Sequence, residues 1–249
     1  MPQTEKIRKW PSPLILAIEN SGMTGSVALV SGDNCIAEQS LFSRLTHSQR
    51  LLISIQRLME ECRTGWNEID AIAASLGPGS FTGLRIGLAT VKGLAMATAI
   101  PLIGISSLDG LASQFGFASM PVFPVFDARK KEVYTACFRP DGNGSLVRHG
   151  NYLVISPEKL CAAIKEPAIF TGDGVAIYGE LFKEKLGERA ILAPEQIYFA
   201  RAANIGFLAL SSFRNKDFID PAACTPLYVR ASDAEINFPA PAFSATSPT

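Results

Sequence analysis

The residues able to do chemistry in this chain are few, and their spacing narrows what they can do. The most distinctive string is Gly77-Pro78-Gly79-Ser80, set between an apolar run, Ile69 to Leu76, and a helical pattern that reaches about Ala99. Gly77 and Gly79 permit tight or positive-φ geometry, Pro78 stiffens the turn, and Ser80 or Thr82 can cap the helix. Free N–H groups at such a helix start can hold an anion. The string lacks the lysine and spacing of a Walker P-loop, so taken alone it reads first as a well-capped turn. The chain has two histidines, His47 and His149. Neither has a histidine four residues away, so a zinc or iron site with His ligands would need unusual help, and a Ser/His or Cys/His catalytic arrangement has little to draw on. His47 reads as a helix-terminal or surface residue and His149, beside Gly150, as a turn residue. Asp127 ends a strand and could orient Arg129 or a ligand; with Tyr134 the plainer reading is a turn salt bridge and a tyrosine packed on a sheet. Cys35, Cys62, Cys137, Cys161 and Cys224 are widely spaced with no CxxC pair, which predicts reduced, buried thiols.

The elements that must position these residues follow from hydrophobic periodicity. Strands are expected at 14–19, 26–31 and 35–42, joined by short turns as an antiparallel meander. Thr46 and Gln49 fit a capping box, and Leu51, Leu52, Ile55, Leu58, Met59 and Cys62 then recur at helical spacing until Gly65. A buried strand over 69–76 precedes the glycine-rich turn. In the helix after it Gly83 and Gly87 are four apart, as are Ala89, Gly93 and Ala97. Glycine costs about 1 kcal/mol in a helix interior, so three of them imply that another backbone comes close. Packing within the fold and packing against a partner helix explain this equally. A strand at 101–105 and a helix at 107–115 end the first half. The second half repeats the order: strands at 122–127, 132–139 and 146–155, a helix at 157–164, a strand at 168–171, and helices at 176–186 and 200–213, with a short extended piece near Ile191.

A duplicated βββαβα unit with mixed sheets is the pattern of the actin-like ATPase superfamily (the ribonuclease-H-like fold), an α/β class with two subdomains. The expected division is a flexible leader over 1–13, subdomains over 14–116 and 117–231, and a flexible tail rich in Ala, Pro and Ser over 232–249.

Composition limits the partners. Apolar residues make up 47% and charged residues 18%, enough for a packed core. Lys plus Arg and Asp plus Glu number 23 each, so the chain lacks the basic excess of a protein that grips a nucleic-acid backbone alone. The nearest basic clusters are Lys6-Ile7-Arg8-Lys9 and Arg129-Lys130-Lys131; if RNA is a substrate, a partner supplies most phosphate contacts. No apolar run reaches the length of a membrane span, and the first residues lack a signal-peptide apolar region, which reads as a cytoplasmic protein.

The string GPGSFTGLRIG, preceded by a strand and followed by Leu88 to Ala99, resembles the signature of the TsaB (YeaZ) family. Further pieces match in order: Ile15 to Ser21, His47 to Leu52, Pro101 to Leu108, Asp127 to Tyr134, Thr171 to Gly174 and Pro226 to Arg230. The resemblance covers roughly residues 14–231. It implies a non-catalytic subunit that dimerises with the catalytic paralogue TsaD. With the ATPase TsaE the pair would support transfer of a threonylcarbamoyl group to N6 of the adenosine next to the anticodon in tRNAs. ATP and a metal would be used by those partners, with no cofactor bound by this chain alone and tRNA met mainly through the complex; a homodimer is a further expectation in isolation. The catalytic paralogue binds its metal through two histidines four apart on the first helix; here His47 is followed by Leu51. The family usually has Asp-Thr-Ser where this chain has Glu19-Asn20-Ser21, and an acidic residue at this strand end meets metal–nucleotide phosphate in the actin-like fold. Glu19, Gly77, Gly79 and Ser80 are therefore only weak nucleotide-binding candidates. The expected partner interface comprises His47, Leu51, Leu52, Ile55, Leu58 and Met59 on the first helix, in a stripe too wide for the monomer's own core, and Gly83, Arg85, Gly87, Ala89, Thr90 and Gly93 on the second. The alternative is an ATP-binding actin-like kinase or hydrolase acting alone. A peptidase, the third reading, finds no metal constellation or nucleophile–base pair.

Overall fold

A computed structural model describes residues 9–10, 12–42, 47–227 and 229, with the backbone alone for 47–50. The first half contains β1 (Leu14–Glu19), β2 (Thr24–Ser31), β3 (Asn34–Phe42), α1 (His47–Glu61), β4 (Ala71–Ser75), α2 (Phe81–Thr98), β5 (Leu102–Ile105) and α3 (Ser107–Ala112). The second contains β6 (Val122–Asp127), β7 (Val133–Pro140), β8 (Leu146–Ile155), α4 (Pro157–Ala163), β9 (Ala168–Thr171), α5 (Asp173–Leu186), β10 (Ala190–Leu192) and α6 (Ala202–Asn215). The repeated unit is thus βββαβαβα, one strand and one helix longer than the sequence pattern alone suggested.

Both halves build the same sheet. The first runs β3-β2-β1-β4-β5 and the second β8-β7-β6-β9-β10, with the first three strands antiparallel and the last two added in parallel. This is the two-subdomain actin-like, ribonuclease-H-like α/β fold. Every residue of β1 is buried, which is why Leu14 to Ile18 reads as one apolar run: helices cover both faces of a central strand. Leu14, Leu16 and Ile18 pack with α1 and α2, while Ile15 and Ala17 pack with α6.

The division by chain position is crossed in space. α6 lies on the first sheet through Ala202, Ala203, Ile205 and Ala209. α3 lies in the second core with Leu108 and Leu111, and the Tyr152 hydroxyl of β8 donates to the Asp109 carboxylate at 2.9 Å. Each half therefore lends its last helix to the other. The chain after α6 returns to the first half: Ile219 bridges Leu102, the Lys92 ammonium donates to the Cys224 carbonyl at 3.0 Å, and the Leu227 N–H donates to the Leu76 carbonyl at 2.7 Å.

The end of the expected leader is part of the fold. Trp10 packs on the first core and the Lys9 ammonium donates to the Cys62 and Arg63 carbonyls at 2.5 and 3.1 Å. The rest of the leader, the Thr46 capping box and the tail lie outside the described residues. The five cysteines are free, but only Cys161 and Cys224 are buried; Cys35 is exposed on β3, and Cys62 and Cys137 are half-buried. No helix among the described residues is long and apolar enough to cross a membrane.

Candidate partner-binding face and the closed strand ends

The glycine-rich turn launches α2 as its sequence suggests. Ser80 is the N-cap, its hydroxyl accepting from the Gly83 N–H at 3.2 Å. Gly77 and Gly79 take φ of +101° and +156°, and the Gly77–Pro78 peptide is cis. The chain packs closely against one side of this turn. The Ser80 N–H donates to the Ser21 carbonyl at 2.6 Å, and a Cβ on Gly79 would lie 2.3 Å from that same oxygen. A Cβ on Gly83 would meet the Asn20 carbonyl at 2.3 Å, and the Asn20 side-chain amide donates to the Gly83 carbonyl at 2.7 Å.

Glu19 is 1% exposed, so it does not face an open cleft. One carboxylate oxygen accepts from the Ser21 N–H at 2.5 Å and the other has no partner. Burial pushes its pKa up, against the lowering effect of hydrogen bonds from Ser21 and Ser75. The residues at this strand end do not fit a metal–nucleotide phosphate: the acidic side chain is kept but walled in.

The corresponding turn of the second half is also pressed onto its own sheet. The helix α5 begins at Asp173, three residues earlier than its apolar pattern implied, and Gly172 (φ +112°) sits so close to β6 that a Cβ would lie 2.2 Å from the Val125 carbonyl. Asp173, its pKa raised by burial, accepts from the Asp127 N–H at 3.1 Å. Asp127 pairs with Arg129 at 3.1 Å and Tyr134 packs against the second core, the plain reading of both. His149 stands in β8, exposed, rather than in a turn.

The residues expected at a partner interface divide sharply. Leu51, Ile55, Leu58 and Met59 are buried in the first core beneath α1, so that stripe is not surplus to the monomer. Gly83 and Gly87 are also buried, and their small size is explained by Asn20, whose Cβ would lie 3.1 Å from a Cβ on Gly87. For these six the intramolecular reading wins. The side chain of His47 lies outside the described residues. Thr90 is half-buried and returns its hydroxyl to the Ile86 carbonyl at 2.9 Å. Leu52, Arg85, Ala89 and Gly93 are exposed, and a Cβ on Gly93 would meet nothing within 4 Å.

Three further apolar side chains share this exposure and were missed: Ile53, Phe81 and Met96, the last 69% exposed. The signal was present. Leu51, Leu52 and Ile53 are consecutive, and three consecutive helical residues cannot all face one core. On α2, positions 85, 89, 93 and 96 follow helical spacing on the face opposite Leu84, Leu88, Val91 and Ala95. The Arg85 guanidinium lies over the Phe81 ring, 3.7 Å from its centre. Two packed helices therefore present an outer face that combines small residues with uncovered apolar ones, beside a groove of about 490 Å³ lined by Leu52, Gln56, Glu60, Arg63 and Trp66.

Comparison with known proteins decides the family. The family model described as "TsaD: tRNA N6-adenosine threonylcarbamoyltransferase" matches residues 41–238. The tRNA threonylcarbamoyladenosine biosynthesis protein TsaB of Haemophilus influenzae is 30% identical over 227 residues, covering 87% of this chain and 93% of that protein. The chain belongs to the TsaB (YeaZ) family. TsaB of Bacillus subtilis is 29% identical over 89% of this chain and 96% of its own length. The structure titled "YeaZ from Pseudomonas aeruginosa" superposes with a TM-score of 0.76 at 27% identity, covering 87% of this chain and 99% of that one. The family-model match runs through parts of both subdomains.

Proposed function

We propose that this chain is a non-catalytic, cytoplasmic subunit of the machinery that makes threonylcarbamoyladenosine in tRNA, and that it acts by pairing with the catalytic paralogue TsaD, with TsaE joining the pair. The observation that carries the reading is the exposure, on two helices packed together, of Leu52 and Ile53 on α1 and of Ala89, Gly93 and Met96 on α2. Uncovered apolar residues beside residues small enough for a second helix to approach are what a helix-on-helix interface needs. The family membership supplies the pathway, and the match of residues 41–238 to a TsaD-type family model fits pairing with a chain of the same fold.

In this reading the chain holds no nucleotide or metal of its own; ATP and the metal belong to the partners. Support comes from the turns at Gly79 and Gly172, pressed onto the carbonyls of Ser21 and Val125. The balance of 23 basic and 23 acidic residues fits tRNA contact made mainly through the partners. Co-purification with TsaD and TsaE, followed by threonylcarbamoyl transfer to tRNA with and without this chain, tests the role. Transfer that needs this chain only as a bound partner is expected. Tight Mg-ATP binding by the isolated chain in calorimetry would instead favour an actin-like enzyme acting alone.

A further inference from the structure

A cavity in the second subdomain is used by none of the features above. It has a volume of about 570 Å³ and lies between the β7–β8 pair and α4. That size is within the range of small-molecule sites, roughly 300–1,000 Å³. Its walls are apolar: Phe123, Leu153, Ile155, Leu160 and Ile164.

Three independent details make it a built site rather than a gap. The first is a break in the sheet. Thr135 pairs with Leu153 and Cys137 with His149, so two residues along β7 oppose four along β8. Gly150, inside this bulge, has φ +82° and open space where a Cβ would be. Bulges of this kind concentrate next to functional sites, where they open a sheet or re-aim a side chain. The second is Thr135. It lines the cavity, is fully buried, and its hydroxyl has no hydrogen-bond partner. A buried hydroxyl left unpaired in a native fold calls for a partner. The third is charge at the rim. Arg139 donates to the Glu166 carboxylate at 2.5 Å and the Lys165 ammonium donates to the Ala162 carbonyl at 2.6 Å. Arg139, Lys165 and Glu166 all line the cavity, and both cations have donors to spare, since a guanidinium carries five N–H groups and an ammonium three.

We infer that this cavity binds a small amphipathic monocarboxylate bearing a hydrogen-bonding group at its far end. Its carboxylate takes Arg139 and Lys165, its apolar body lies along Phe123 and Leu160, and its far group completes the hydrogen bonding of Thr135. The site lies away from the α1–α2 face, so it is independent of the pairing reading.

The test uses the full chain, labelled at Ile and Leu methyl groups, titrated with 3-(4-hydroxyphenyl)propanoate. Saturable shifts at Leu153, Ile155, Leu160 and Ile164 are expected. The amide of the same acid, which lacks the charge, and 3-phenylpropanoate, which lacks the hydroxyl, should each bind at least about fivefold more weakly. Arg139→Gln with Lys165→Gln should erase the preference for acid over amide. Thr135→Val, nearly isosteric, should erase the preference for the hydroxylated probe. Ala163→Trp, or Leu153→Trp on the exposed edge strand should the first not fold, should abolish the shifts by filling the space. No saturable shift of these methyl groups by about 10 mM probe would overturn the proposal, as would equal affinity for acid and amide or binding untouched in a folded filled variant.

Discussion

At the residue scale, the three glycines of α2 separate by what stands beside them. Gly83 has the Asn20 carbonyl where a Cβ would go, Gly87 has the Asn20 Cβ at 3.1 Å, closer than an ordinary van der Waals contact, and Gly93 has nothing within 4 Å. Gly83→Ala should therefore cost about 1–3 kcal/mol in urea unfolding, as overpacking does. Gly93→Ala should gain up to about 1 kcal/mol, because only helix propensity changes. Glu19 gives a pH signature. Its pKa in the fold is raised, first by burial, above the ordinary 4.5. The folded state thus binds the proton more tightly than the unfolded chain. Its contribution is fully present below about pH 4.5 and is lost as pH climbs through the raised folded value. Glu19→Gln removes that loss, so its melting temperature relative to the parent should rise from pH 5 to pH 8. A constant difference would mean that Glu19 titrates as it does in the unfolded chain.

At the element scale, α6 is the support most easily overlooked. It is the last helix in the chain, yet Ile205 is fully buried against the first sheet, and Gly206 lets it settle onto Val30 and Ala17. Ile205→Ala should cost about 2–5 kcal/mol, read by urea unfolding, and should loosen β1 and β2 although they lie far away in sequence. The elements themselves were legible in the sequence because period-2 and period-3.6 apolar patterns are local: 122–127, 146–155 and 168–171 match to the residue. The exchange of α3 and α6 was not, since an amphipathic helix shows that it has a partner sheet without saying which. The same limit explains the site. The glycine-rich turn and its helix could be read, but whether Gly83 served the fold or a partner depended on Asn20, 63 residues earlier in sequence. In the sequence the stripe after His47 reads as surplus because residue type does not show how much apolar surface a sheet presents; β1, β2, β4 and β5 present enough to bury Leu51, Ile55, Leu58 and Met59.

At the scale of the whole molecule, the duplicated fold keeps the shape of an actin-like ATPase, with the glycines of both strand-end turns pressed onto neighbouring carbonyls. The outer face of α1 and α2 stands open. A charge at Ile55 or Gly87 cannot probe that face, because both are buried and the change would strike the core. Leu52 and Met96 can, being 50% and 69% exposed. The most direct measurement is the affinity of TsaD for this chain and for Leu52→Glu and Met96→Glu, with melting temperatures taken alongside. Each variant should melt like the parent and bind at least about tenfold more weakly, about 1.4 kcal/mol. Folded variants that both bind TsaD as tightly as the parent would contradict the account.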